Sequence, residues 1–216
     1  TNLKVLNCIY NQITNLDLIS CTNLLFLNCN YNQLVNLNLS SNNLLEYLFC
    51  ENNQINTLDL ITNNNLKYLS CKTNSINNLQ VLSPNLTYID CNYNQLVSLN
   101  VSSCSSLNEL RCSYNLLTNL ITNISVLEKI ECTNNNLLSL DLTHASKNVA
   151  ISGVIVPSLI SSSAEEILAL NFLIVITGPF VASGGITALI RDPSFKREST
   201  IGDDESIVLP IGSINF

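Results

Sequence analysis

Apolar positions recur in the order L-x-x-L-x-C-x-x-N over Leu3-Lys4-Val5-Leu6-Asn7-Cys8-Ile9-Tyr10-Asn11, and the same order returns six more times. The later copies begin at Leu24, Leu45, Leu66, Leu86, Leu107 and Leu127, at steps of 21, 21, 21, 20, 21 and 20 residues. Their cysteines are Cys29, Cys50, Cys71, Cys91, Cys112 and Cys132, and their asparagines are Asn32, Asn53, Asn74, Asn94, Asn115 and Asn135. A second half follows in each copy, as in Ile13-Thr14-Asn15-Leu16-Asp17-Leu18 and Ile55-Asn56-Thr57-Leu58-Asp59-Leu60. Short alternating apolar runs set between Asn, Ser and Thr clusters predict strands and turns. No stretch of the repeat is long enough, or has the right period, for a helix. A period this regular predicts a solenoid in which each repeat buries its apolar edge against its neighbours. The expected form is a parallel strand ladder on one face and a second, extended or strand-like ladder on the other.

The pattern resembles the leucine-rich repeat family, in its short bacterial nested (IRREKO-type) class, L-x-x-L-x-L-x-x-N-x-L-x-x-L-D-L. The resemblance runs from Leu3 to about Leu142. It departs from the family where Cys replaces Leu, and the sixth copy weakens where Thr122 stands in the place of Leu18 and Leu60. The resemblance implies a repeat scaffold that presents a binding surface. It does not name a ligand.

Each repeat position has a task. The two Leu and the Cys are expected to point inward. The Asn column, Asn11 through Asn135, sits where the chain turns, and an inward amide there satisfies backbone groups of its own and the next rung. Cys8, Cys29, Cys50, Cys71, Cys91, Cys112 and Cys132 form a column whose rungs lie ~4.8 Å apart, within reach of a disulfide. In-register neighbours point the same way, however, and an odd number cannot pair completely. The main expectation is inert buried thiols, with disulfides or a metal as alternatives. Cys21 and Cys104 stand four repeats apart at a turn position that Asn42 and Asn63 fill elsewhere, too far to bridge.

Aromatics fall in two registers. On the strand stand Phe26, Tyr47, Tyr68 and Tyr88, with Val5 before them and Glu109 and Lys129 after, and Phe49 adds one more ring. Just before the Asn stand Tyr10, Tyr31, Tyr93 and Tyr114, interrupted by Asn52 and Thr73. Tyr combines a broad apolar face with a polar tip and is favoured at recognition surfaces. Neutral Asn, Ser and Thr between the rings suit sugar hydroxyls or a protein backbone. The alternative is rings that merely pack along the solenoid edge as same-face neighbours.

The period stops near Thr143-His144-Ala145-Ser146-Lys147, and no Cys or Tyr follows. This divides the chain into a repeat domain at 1–146 and an apolar β-rich unit at 147–216, expected to be a small sandwich or barrel. Val149 to Ile160, Phe172 to Thr177, Ile186 to Ile190 and Ser206 to Leu209 read as strands. Ser163-Ala164-Glu165-Glu166 has the form of a helix capping box. Ile167 to Ile190 carries no charge. Gly178-Pro179 and Gly184-Gly185 interrupt it before it reaches the ~20 apolar residues of a membrane span, so buried strands are expected over membrane contact. So apolar a unit predicts docking on another subunit, as a homo- or hetero-oligomer. Asp203-Asp204-Glu205 reads as a solvated hairpin loop before a calcium site.

Composition narrows function. Charged residues make up 12% of the chain, about half the usual ~25%, so most of the polar surface is neutral. A net charge of −7 opposes the phosphate-neutralising surface that nucleic-acid binding needs. The single His, His144, has no plausible Ser or Cys partner. There is no Gly-rich phosphate loop and no metal-ligand spacing, so neither an enzyme, a cofactor nor a metal is expected. Two readings remain. One is an extracellular or cell-surface module that binds a protein or glycan. The other is a spike or filament segment of a virion or surface assembly, docked through 147–216. The first residue already lies within a repeat, which predicts a processed or fragmentary N-terminus, or one covered by another chain.

Overall fold

The computed structural model describes residues 2–123, 125–137 and 140, together with the backbone of three further strands, at 150–152, 173–177 and 206–208. In chain order the strands are β1 (Val5–Asn7), β2 (Phe26–Asn28), β3 (Tyr47–Phe49), β4 (Thr57–Leu60), β5 (Tyr68–Ser70), β6 (Asn78–Val81) and β7 (Tyr88–Asp90). They continue as β8 (Ser98–Asn100), β9 (Glu109–Arg111), β10 (Asn119–Ile121), β11 (Lys129–Glu131), β12 (Ala150–Ser152), β13 (Leu173–Thr177) and β14 (Ser206–Val208). The fold is a mainly β solenoid, and no helix occurs among the described residues.

One sheet runs the length of the coil in the order β1-β2-β3-β5-β7-β9-β11-β12-β13-β14. Its first nine strands are parallel, and β14 pairs antiparallel with β13. The second halves of the repeats make two shorter parallel pairs, β4 with β6 and β8 with β10. The second ladder is therefore fragmentary. It is absent from the first two rungs, whose second halves form no strand.

The register keeps every repeat position in a straight column. Leu6, Leu27, Leu48, Leu69, Ile89, Leu110 and Ile130 stand in one row, each partnered with its neighbours. Behind them lie Leu24, Leu45, Leu66, Leu86, Leu107 and Leu127, all buried. Each such side chain contributes about 1.5–3 kcal/mol on burial, so the core is a rod of equal increments. Only the first rung departs from this: Leu3 is exposed and Leu6, Cys8 and Ile13 are half-buried, since no described rung packs before them.

Three hydrogen-bond devices hold the turns. At the corner after the main strand, Asn53 Nδ2 donates to the carbonyls of Cys29, Cys50 and Glu51, while its Oδ1 accepts from the Leu34 N–H at 3.0 Å. Asn32, Asn74, Asn94, Asn115 and Asn135 repeat the arrangement. After the second half, Asp17, Asn38, Asp59 and Asn100 each accept from the N–H two residues on, which explains the polar residue inside the L-D-L run. A tight turn then follows, with the N–H of Cys21, Asn42, Asn63 and Cys104 donating three residues back at 2.9–3.1 Å.

A turn residue is expected to face water, yet Asn42, Asn63, Ser83 and Cys104 are fully buried. The turn tucks its fourth residue inward, making a second polar column inside the coil.

Beyond the repeats, β12, β13 and β14 fall within three of the expected strands. The backbone of 150–152 pairs directly with β11, so the ladder passes the expected division at 146/147. The capping box at 163–166, the strand at 186–190, the loop at 203–205 and His144 lie outside the described residues. So does most of the charge-free run from 167 to 190.

Candidate recognition surface

The outward face of the main sheet is built from two columns. One is Val5, Phe26, Tyr47, Tyr68, Tyr88, Glu109 and Lys129; the other is Asn7, Asn28, Phe49, Ser70, Asp90, Arg111 and Glu131. Because side chains alternate across a strand, residues two apart share this face. The fold brings together all five strand-column aromatics. Phe26 lies 6.3 Å from Tyr47 and 5.6 Å from Phe49, Phe49 lies 5.0 Å from Tyr68, and Tyr68 lies 4.3 Å from Tyr88. The rings zigzag between the two columns and form one continuous strip over rungs two to five.

The strip ends at a charge cluster. The Arg111 guanidinium sits over the Tyr88 ring at 5.7 Å. Its Nε donates to Glu109 Oε1 at 2.7 Å and lies 3.7 Å from Glu131 Oε2. Lys129 Nζ closes the cluster on Glu109 and Glu131. Burial works against the charge on Glu109, but hydrogen bonds from Arg111 and Lys129 outweigh it and hold the carboxyl below its usual range. Two cations and two anions thus neutralise one another, and this end of the face projects little net field. The opposite end, with Val5, Asn7, Phe26 and Asn28, carries no charge.

Between them, the face is less open than a strand's outer side usually is. Ser70 and Asp90 are buried beneath their neighbours. Ser70 Oγ donates to Glu51 Oε1 at 2.7 Å, and Lys72 reaches the other oxygen of Glu51 at 3.5 Å. Burial raises the Asp90 pKa, opposed by the Asn92 N–H on its Oδ1 and by the charges of Lys72 and Arg111. Burial, and then the Asp90 charge, push the Tyr88 hydroxyl well up, so it stays a protonated donor at neutral pH.

The turn-column tyrosines form no part of this strip. Tyr10 stacks on Tyr31 at 4.5 Å and Tyr93 on Tyr114 at 4.3 Å, at the corner beyond the sheet. Their backbone is left-handed, with φ of 54–56°, and Asn52, Thr73 and Asn134 in the same column share that geometry. Left-handed geometry disfavours residues with a Cβ, and nothing in a column of Tyr, Asn and Thr signals it. Arg111, Glu131 and Asp90 are further members of the face that the sequence reading missed. Following residues two apart from Tyr88, Glu109 and Lys129 would have found them.

The cysteines make no disulfide: all nine are free. Cys29, Cys50, Cys71, Cys91, Cys112 and Cys132 are buried, and Cys8 is half-buried at the open end. Burial raises their thiol pKa values, to about 12 for Cys29 and Cys132. The Cys29 and Cys91 thiols point along the coil to the carbonyls of Phe49 and Arg111. Among the described residues, no three His, Cys, Asp or Glu side chains group as a metal site, and no helix is long and apolar enough to cross a membrane.

No family model matches the chain, and no curated protein matches it. Among solved structures it is similar to YopM, a leucine-rich effector protein from Yersinia pestis. That match has 26% identity and a TM-score of 0.56, and it covers 76% of this chain and 48% of that one. The chain is a leucine-rich repeat protein. Two weaker likenesses are to the functional domain of InlJ from Listeria monocytogenes, described as including a cysteine ladder, and to an internalin, InlF, from the same species. The first has 29% identity and a TM-score of 0.48 over 71% of this chain and 44% of that one. The second has 18% identity and a TM-score of 0.45 over 82% and 69%. This leucine-rich repeat chain therefore spans about half the length of the YopM structure.

Proposed function

We propose that this leucine-rich repeat protein is a non-catalytic recognition module that binds a polypeptide partner through the aromatic strip of its main sheet. The observation that carries this reading is the continuous strip of Phe26, Phe49, Tyr47, Tyr68 and Tyr88. Aromatic rings at the centre of a face are the residue types that dominate binding energy in protein interfaces. The alternative ligand, a glycan, fits less well. Sugar rings pack on the open face of an aromatic, whereas Tyr68 and Tyr88 are nearly parallel, 8° apart at 4.3 Å, and cover each other's faces. The strip presents ring edges and hydroxyls, which suit apolar side chains and backbone carbonyls.

The test compares the parent with the combined Tyr47→Ala, Tyr68→Ala, Tyr88→Ala variant on displayed peptide libraries and on glycan arrays. Enrichment of peptides bearing aromatic or aliphatic residues, lost at least ~10-fold in a variant that still folds, supports the reading; that ratio corresponds to about 1.4 kcal/mol. Selective glycan binding, or peptide binding indifferent to the substitutions, defeats it.

The family resemblance favours a location outside the cell or on its surface, with a virion as the alternative. A second reading, a segment of a larger assembly docked through 147–216, draws on the charge-free stretch from Ile167 to Ile190. Light scattering on the full chain separates the two once the contact is mapped, since an assembly segment associates without any ligand through 147–216, and substitutions within the repeats leave that association unchanged.

A further inference from the structure

The corner after the main strand carries a pattern that the recognition strip does not use. Counting rungs from β1, its left-handed position reads Tyr10, Tyr31, Asn52, Thr73, Tyr93, Tyr114 over rungs one to six, and Asn134 follows on rung seven, outside that span. Four residues on, the same rungs read Thr14, Val35, Asn56, Asn77, Val97, Thr118. The second series is the same in both directions. The first has two tyrosines, two small polar residues and two tyrosines, again the same in both directions. Both series share one centre, midway between rungs three and four.

This flank is also exposed and uncharged. The four tyrosines are 41–70% exposed, and Val35 and Val97 are exposed too. No Asp, Glu, Lys or Arg occurs in residues 10–16, 31–37, 52–58, 73–79, 93–99 or 114–120, although the chain as a whole carries −7. Two copies would meet here without the repulsion that a charged flank would bring to the approach of like-charged molecules. The tyrosines sit in a backbone conformation that a residue with a Cβ enters only at a cost. Their own stacking in pairs, at 4.3–4.5 Å, leaves the outer edges bare.

We infer that this flank is a homodimer interface, in which two copies lie antiparallel about a two-fold axis passing between rungs three and four. A two-fold interface is self-complementary: if one residue meets a second, the second meets the first. A surface pattern that reads the same in both directions meets that condition. Rung one then faces rung six of the partner, and rung two faces rung five. Tyr10 and Tyr31 pack against Tyr114 of the partner subunit and Tyr93 of the partner subunit, and Val35 packs against Val97 of the partner subunit. Asn52, Thr73, Asn56 and Asn77 gather at the axis, where amides can hydrogen-bond across it. The area is adequate. At about 200 Å² for a ring side chain, the exposed parts of the four tyrosines alone come to roughly 400 Å² per copy. The Val, Leu116 and neutral polar positions bring the flank close to the ~800 Å² per partner of a standard interface.

The experiment is sedimentation of the full chain over a concentration series, for the parent, Val35→Glu, Val97→Lys and the two combined. Both sites are exposed, so thermal melts should show all four proteins folded. Each single substitution places a charge against an apolar side chain twice per dimer and should weaken association at least tenfold. In the combined variant each introduced carboxylate meets an introduced ammonium of the other copy, and association should return to within about threefold of the parent. Within one chain the two sites are three rungs apart, roughly 14 Å, so only the antiparallel pairing restores it. A parent that stays monomeric up to about 1 mM, single variants that associate as the parent does, or a combined variant weaker than either single one would each overturn the inference. Association that survives both single substitutions would place the contact elsewhere, at 147–216 for instance.

Discussion

Two buried polar columns run inside this coil, and they have different characters. At the corner after the main strand the residue is Asn in every rung. At the tight turn after the second half it is Cys21, Asn42, Asn63, Ser83 and Cys104. The first kind of Asn is fully used: Asn74 donates to three carbonyls and accepts one N–H, binding two rungs together. The second kind is half-used. Asn42 and Asn63 donate to two carbonyls each, yet their buried Oδ1 atoms have no hydrogen-bond partner. A buried acceptor without a donor carries a penalty of about 1–3 kcal/mol. A position therefore repeats without variation where one side chain makes four hydrogen bonds to the backbone of two rungs. It drifts where any small inward group closes the turn.

The largest effect expected is at the first column. Asn74→Ala leaves the Ile55 N–H without its acceptor and takes one of two donors from each of the Cys50, Cys71 and Lys72 carbonyls, and should lose about 2–3 kcal/mol by urea unfolding. Asn63→Ser, which copies Ser83 at the same position, should change stability by less than ~1 kcal/mol or raise it, because the orphaned oxygen goes. Equal losses at the two sites would erase the distinction.

Alkali should be the next strongest probe. Burial raises the thiol pKa values in the folded state, to about 12 for Cys29 and Cys132 and about 11 for Cys104. A raised folded pKa gives stability that is fully present below the unfolded value, ~8.5, and is lost as pH rises toward the folded one. Each buried thiol should then remove up to about 1.4 kcal/mol per pH unit in that window. Urea midpoints measured between pH ~8 and ~10.5 should fall steeply. A flat profile would mean that the thiols are already wet.

Asp90 should give a smaller effect in the same pH sense, in a window at lower pH. Its folded pKa is raised, chiefly by burial, so the ionised form is disfavoured in the folded state above that pKa and the penalty lifts on acidification. Asp90→Asn keeps an acceptor for the Asn92 N–H and should raise the urea midpoint at neutral pH. The gain should fade as pH falls through the raised pKa. The smallest effect belongs to the exposed pair of Lys67 with Glu46, 2.8 Å apart. Solvent and salt screen such a pair, so Lys67→Gln should leave the urea midpoint where it is in the parent.

How much of this was legible beforehand follows from the same contrast. Regular spacing revealed the rungs, the inward Leu and Cys, and the strand column of Phe26, Tyr47, Tyr68 and Tyr88, because a column is a period and periods show in sequence. The left-handed backbone at Tyr10 and Thr73 did not show, since it is set by how the corner closes and the residue types there carry no mark of it. The inward turn of Asn42 and Asn63 was missed for a related reason: polar residues in a turn read as solvated until the turn's geometry is known. Arg111 and Asp90 escaped because only one of the two outward columns was followed.

Counting thiols tests the sealed coil most directly. With a small thiol reagent and no reductant, the folded protein should label quickly at the half-buried Cys8 and Cys21 only, with the other seven cysteines protected. All nine should react once the chain is unfolded. Rapid labelling of Cys50, Cys71 or Cys112 in the folded protein, or fewer than nine reactive thiols after unfolding, would contradict the account.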